Sequence, residues 1–158
     1  MRRDYFQLDV ENIDWVETDG DPEKPLVQID FRGPDESLRE RLTGTEGSLL
    51  EAEETDVAYR LQDSIDDPDA AGVVSVTNRI TGDFVLELNE EADDVLRFIR
   101  AAREYGQYAA DPDEGRYRVE ISADGEHTVS YEKQTFLVYD ADGNLLRGQS
   151  LIPSGVEL

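Results

Sequence analysis

Asn89-Glu90-Glu91-Ala92-Asp93-Asp94-Val95-Leu96-Arg97-Phe98-Ile99-Arg100-Ala101-Ala102-Arg103-Glu104-Tyr105-Gly106 is the stretch whose reading decides the fold. Val95, Phe98, Ile99, Ala102 and Tyr105 recur at helical spacing and form one apolar face. Asn89 suits an N-cap, and Glu90, Glu91, Asp93 and Asp94 put negative charge where the helix dipole favours it. Arg97, Arg100 and Arg103 lie toward the C-terminal half, and Gly106 is the expected stop. A helix with such a stripe must bury it, and the flanking segments indicate against what.

Those segments alternate with period two, the mark of half-buried strands. Upstream, Tyr5 to Val10 places Phe6, Leu8 and Val10 on one side, and Ile13 to Val16 continues or returns that strand. Leu26 to Phe31 sets Val27, Ile29 and Phe31 against Leu26 and Gln28. Asp35 is read as the cap of a short helix carrying Leu38 and Leu42 and ending at Gly44. Val57 to Leu61 is a short strand. Val73 to Thr77 and Phe84 to Leu88 form a hairpin with Gly82 at its bend, with Phe84, Leu86 and Leu88 expected on one face.

Downstream, Tyr117, Val119 and Ile121 alternate with polar residues, and Asp124-Gly125 is a strong hairpin signal. Val129 and Tyr131, Phe136 to Tyr139, and Leu145 to Leu151 complete a C-terminal β-meander. The chain is therefore expected to be one α+β domain over residues 1–158. Its sheet should be mostly antiparallel, with the long amphipathic helix packed on it.

Charge points to the environment. The chain has 38 Asp and Glu against 15 Lys and Arg, a formal net charge of −23, and lysine only at Lys24 and Lys133. In ordinary cytoplasm the Debye length is about 8 Å, and such a surplus repels itself and loosens the compact state. At molar salt that length falls to about 3 Å and the repulsion is largely removed. Carboxylates then hold water and cations at the surface, while the scarcity of lysine removes apolar stems. Arginine is kept because its planar fork pairs carboxylates in a way lysine does not. Disorder is excluded by the apolar content, 38% of residues, which falls in ordered patterns. The expected setting is the salt-rich cytoplasm of a salt-loving archaeon.

At 158 residues one domain buries about two thirds of its unfolded surface. The absence of cysteine removes disulfides, thiol nucleophiles and thiolate metal sites together. Arg2-Arg3 is not followed by the apolar run of a secretion signal, and no stretch approaches the roughly 18 apolar residues of a membrane span. A cytoplasmic location and no membrane association are expected.

Little here carries chemistry. His127 is the one histidine, in a polar strand context, and no Gly-x-Ser-x-Gly elbow supplies a nucleophile, so no catalytic residue is assigned. Carboxylate pairs suited to glycoside chemistry occur throughout so acidic a chain and single out none. Asp140-x-Asp142-Gly143-Asn144 resembles part of a calcium loop but lacks the distal glutamate, and a hairpin turn explains it better. Gly44-Thr45-Glu46-Gly47-Ser48 lacks the lysine of a phosphate-binding loop. Neither a metal site nor a cofactor is indicated. Arg97, Arg100 and Arg103 are the regular basic feature and a candidate protein-partner contact. The simpler account is ion pairing with Asp93, Asp94 and Glu104 along the helix. Without a basic stripe, direct nucleic-acid binding is not expected.

Met1-Arg2-Arg3-Asp4-Tyr5-Phe6, Arg39-Glu40-Arg41-Leu42-Thr43-Gly44, Thr55 to Asp63, Thr77-Asn78-Arg79, Thr81-Gly82-Asp83-Phe84, Val95 to Arg100 and Ser150 to Leu158 together resemble a haloarchaeal family of uncharacterised proteins. The resemblance covers nearly the whole chain. It carries no chemical motif and implies no catalytic or binding residue. The leading expectation is a non-enzymatic binding or adaptor domain. The alternatives are an enzyme or small-ligand protein built on carboxylates and tyrosines, and an acidic nucleic-acid mimic. A closed pocket with convergent polar groups would favour the enzyme.

Overall fold

The computed structural model describes residues 5–33, 37–44, 47–108, 115–123 and 126–152. Its eight strands are β1 (Phe6–Glu11), β2 (Leu26–Phe31), β3 (Thr55–Leu61), β4 (Ala71–Asn78), β5 (Phe84–Glu91), β6 (Tyr117–Ala123), β7 (Glu126–Lys133) and β8 (Leu137–Tyr139). The helices are α1 (Trp15–Thr18), α2 (Ser37–Arg41) and α3 (Ala92–Tyr108), with 3-10 turns at Ala52–Glu54 and Arg147–Gln149. This is the expected α+β class with one long helix, and its strands divide between two sheets, ordered β1-β2-β6-β7 and β5-β4-β3-β8. Four strand pairs are antiparallel and two, β2–β6 and β3–β8, are parallel.

One continuous core joins both sheets, α2 and α3. The first sheet contributes Val27, Ile29 and Phe31 from β2 and Tyr117, Val119 and Ile121 from β6. The second contributes Val57, Tyr59 and Leu61 from β3 and Val74 and Val76 from β4. Val95, Phe98, Ile99 and Ala102 of α3 are buried as their spacing predicts, and Tyr105 is half-buried. Phe98 meets the Tyr117 ring edge-on at a centroid distance of 5.3 Å and Phe136 at 6.2 Å, so α3 contacts residues flanking both sheets. Leu38 and Leu42 are buried as expected, whereas Asp35, the predicted cap, lies outside the described residues, as does the Asp124-Gly125 turn.

Four segments depart from what their sequence pattern predicts. Asn89 does not cap α3; it lies in β5 opposite Val73, and the helix opens at Ala92, whose N–H is bound by the Ala70 carbonyl at 3.0 Å. Gly106 does not end the helix, which runs on to Tyr108. A Cβ at Gly106 would sit 2.6 Å from the Arg116 side chain, so glycine there makes room for that approach. Ile13 to Val16 is not strand: Asn12 takes a φ of 65°, a left-handed conformation Asn tolerates, and the chain turns into α1. Leu145 to Leu151 forms isolated bridges, Tyr139–Leu145 and Phe136–Leu151, around the Arg147–Gln149 turn.

The β4–β5 register slips between Val76 and Thr77, placing Phe84 opposite Thr77 and leaving Val85 as the extra residue of a bulge. A bulge puts two successive side chains on one face. Val85 and Leu86 are both 1% exposed, and Phe84 is turned outward, 51% exposed. Phe84 therefore does not share a face with Leu86 and Leu88.

The two lysines serve the fold. Lys133 is buried and its Nζ donates to the Ala52 and Thr55 carbonyls at 2.7 and 2.6 Å, tying β7 to the 3-10 turn before β3. Burial holds its pKa below the ordinary lysine value, and Arg79 adds to that. Lys24 donates to Glu132 at 2.9 Å and lies 6.0 Å from the Tyr105 ring centre.

Candidate functional site

The three helix arginines are exposed, and each has an acceptor within the chain. Arg97 reaches Glu17 at 3.3 Å and Asp14 at 3.9 Å, joining α3 to α1. Arg100 pairs with Glu104 one turn on, at 3.8 Å, as helical spacing predicts. Arg103 donates to the carbonyls of Ser150 at 2.9 Å and Gly148 at 3.3 Å, holding the C-terminal segment to the helix. The backbone of His127 lies in β7 opposite Ser122; its side chain lies outside the described residues. Asp140 Oδ1 accepts the N–H groups of Asp142 and Asn144 at 3.0 and 2.8 Å, and Gly143 has a φ of 87°, so this segment is a turn closed by its own carboxylate. Thr45 and Glu46 of the glycine-flanked segment, and the acidic run 111–114, lie outside the described residues.

Carboxylates and tyrosines do meet at one place. Glu90 and Asp94 line a groove of about 300 Å³ with Asp14 and Arg97, beside a void of about 20 Å³ walled by Val27, Val57, Val76, Phe98 and Tyr117. That void has room for about one water and is far smaller than the several hundred Å³ of a ligand pocket. The tyrosine protons are already committed. Tyr59 donates to the Glu90 carbonyl at 2.9 Å, Tyr117 to Thr135 at 2.6 Å, and Tyr131 to Leu50 at 2.8 Å. Burial pushes the hydroxyls of Tyr59 and Tyr117 well up and that of Tyr131 up to about 12, so none is suited to give or take a proton near neutrality. These are structural tyrosines.

Glu90 is perturbed nonetheless. Burial raises its pKa above the ordinary 4.5, the Glu91 N–H opposes that, and the neighbouring Asp94 carboxylate adds to it. A carboxyl raised on folding adds stability that is fully present below its ordinary pKa and lost as pH rises through its folded one. Glu90→Gln is therefore expected to raise the melting temperature at pH 7, with the advantage shrinking as pH falls through the raised pKa and gone below about pH 4.5. Melting curves of both proteins from pH 4 to pH 8 check this; an advantage that grew on acidification would contradict it.

The larger feature is the outward face of the second sheet. Tyr139, Arg60, Val73 and Asn89 stand in register across its four strands, and Leu137, Ala58, Ser75 and Glu87 form the next row. Asp56, Thr77 and Phe84 make a third row across β3, β4 and β5. A groove of about 590 Å³ runs over these rows, lined by Arg60, Val73, Ser75, Phe84, Glu87 and Tyr139 among others. Its charged lining residues are Arg60 and Glu87, so the groove is neutral on a chain of net charge −23. Asp56 lies along its margin and is taken by Arg79 at 2.6 Å.

The β4–β5 turn that leads into Phe84 exposes Ile80, 67% accessible. This turn is braced. Asn78 Oδ1 accepts the N–H groups of Ile80 and Thr81 at 2.9 and 3.2 Å, the Arg79 N–H is bound by the Glu54 carbonyl at 2.8 Å, and Gly82 supplies a φ of 80°. The two apolar side chains are thus presented on backbone that is already ordered, which lowers the entropy cost of binding. Sequence reasoning missed this site because Phe84, Leu86 and Leu88 match strict alternation. The signal for the bulge was the adjacent apolar pair Val85-Leu86.

Among the described residues no group of three or more acids or histidines is arranged to hold a metal ion, and no helix is long and apolar enough to cross a membrane. No curated protein and no solved structure matches the chain. Over its full length, residues 1–158, the chain belongs to a family of unknown function, DUF5793.

Proposed function

We propose that this is a non-enzymatic binding or adaptor domain of a haloarchaeal cytoplasm, adapted to concentrated salt, and that it binds through the outward face of the β5-β4-β3-β8 sheet. The observation that carries the reading is the neutral groove of about 590 Å³ with the exposed Phe84 in its lining. In molar salt charge acts over only about 3 Å, so recognition there rests on apolar burial and on ion pairs in direct contact. This face supplies both, with Phe84 and Tyr139 as apolar surface and Arg60 and Glu87 as pairing groups. Among the helix arginines, Arg100 has its side chain 65% exposed and is the one placed to add a partner contact. Arg97 and Arg103 already join α3 to other segments.

The test is site-specific photo-crosslinking at working salt. A crosslinker at Phe84 should give one discrete adduct. The same group at Ile65, exposed in the loop at the other end of β4, should give none. Equal crosslinking at both positions, or none at Phe84, would overturn the reading.

A further inference from the structure

We infer that the occupant of this face is a second copy of the chain, packed sheet against sheet about a two-fold axis that crosses β4. The inference rests on the binding reading above and adds the identity of the partner. At molar salt like charges still repel where they come within about 3 Å, so two copies of net charge −23 fit closely against each other only through surface with no acidic excess of its own. The groove lining balances Arg60 against Glu87, and the adjoining Asp56 is neutralised by Arg79. A basic partner would gain nothing from choosing this face over the acidic loops.

The face is also self-complementary. Glu87 and Phe84 stand on β5, on one side of β4, while Arg60 and Tyr139 stand on β3 and β8, on the other. In an isologous contact, residue i of one copy meets residue j of the other, and the exchange is reciprocal. A two-fold axis passing obliquely over β4 between Val73 and Ser75 exchanges these sides. Each Glu87 then meets Arg60 of the second copy, and each Phe84 meets Tyr139 of the second copy. Ala58 and Ser75, paired in the middle row, are small enough for the sheets to approach to the roughly 10 Å of face-to-face packing. The Arg60–Glu87 contacts fix the register, and Phe84 supplies an aromatic anchor of the kind that dominates interfaces.

Light scattering on the intact chain in 2–4 M KCl tests this, with circular dichroism confirming that each variant is folded. The expected mass is twice the 17.8 kDa of one chain. Glu87→Arg or Arg60→Glu alone should weaken self-association at least tenfold. The two together should restore it, because the pair is remade with its charges exchanged. Phe84→Asp should give a monomer by a route independent of Arg60, which also donates to the Ala141 carbonyl at 3.2 Å. A wild-type monomer at 100 μM, a dimer indifferent to the single exchanges, or a double exchange that stays monomeric would each overturn the inference. A monomer whose Phe84 crosslinks to a protein of different mass would overturn the second copy while leaving the binding face standing.

Discussion

Phe98→Ala is expected to cost about 3–5 kcal/mol, the range for removing a fully buried aromatic ring. Phe98 is 2% exposed, and its ring packs between Tyr117 of β6 and Phe136 just before β8. Its loss would open a hole where α3 meets elements of both sheets. The adjacent void of about 20 Å³, which Phe98 helps to wall, would merge with that hole and limit collapse of the neighbours. At about 2–4 °C per kcal/mol for a chain of this length, the melting temperature should fall by roughly 6–20 °C. Arg100→Gln, one helical face away, should stay within about 1 kcal/mol because its pair with Glu104 is exposed. Denaturant melts of the two variants at fixed high salt make the comparison. A neutral Phe98→Ala with a severe Arg100→Gln would mean that the two faces of α3 are assigned the wrong way round.

That contrast was legible in the sequence because helical burial is a local, periodic property. Val95, Phe98, Ile99 and Ala102 lie inside, and Arg97, Arg100 and Arg103 lie outside. Val27, Ile29 and Phe31 were legible for the same reason, with period two in place of 3.6. The ends of α3 were harder to read. Asn89 has the chemistry of a cap, but strand pairing with Val73 captured it first. Gly106 has the chemistry of a stop, but the helix runs through it to Tyr108 and the Arg116 side chain lies against it.

The parallel pairs β2–β6 and β3–β8 were not legible at all. Each joins segments separated by scores of residues, and no local pattern records which distant strand a given strand will meet. The arginines were legible as exposed cations, yet Arg97 and Arg103 found their acceptors on α1 and the C-terminal segment rather than along the helix. The candidate binding face was hidden by one bulge. It moved Phe84 from the expected core to the surface and created the apolar edge of the groove.

Stability should rise with salt, by the largest margin of any perturbation considered. With 38 acids and 15 basic residues, one-to-one pairing leaves 38 − 15 = 23 carboxylates over. The structure makes the surface surplus larger still. Lys133 donates its ammonium protons to backbone carbonyls, and Lys24 and Arg118 both reach Glu132, at 2.9 and 2.8 Å. Burial alone would raise the pKa of Glu132, but the hydrogen bonds and charges of Lys24 and Arg118 together outweigh it and hold it below the ordinary value. Arg118 also reaches Glu120 at 3.7 Å, so these two cations serve two carboxylates, while the buried Lys133 is lost to the surface balance. Raising KCl from 0.1 M to 1 M shortens the screening length from about 10 Å to about 3 Å, so the steepest rise in melting temperature should fall in that interval. Screening has little left to add above it. A further rise at 2–4 M would therefore measure hydration and cation binding by the carboxylates. Thermal melts by circular dichroism across that series separate the two contributions. A melting temperature that did not move from low salt to 4 M would remove the proposed adaptation, and with it the reason to expect a neutral apolar face to carry recognition.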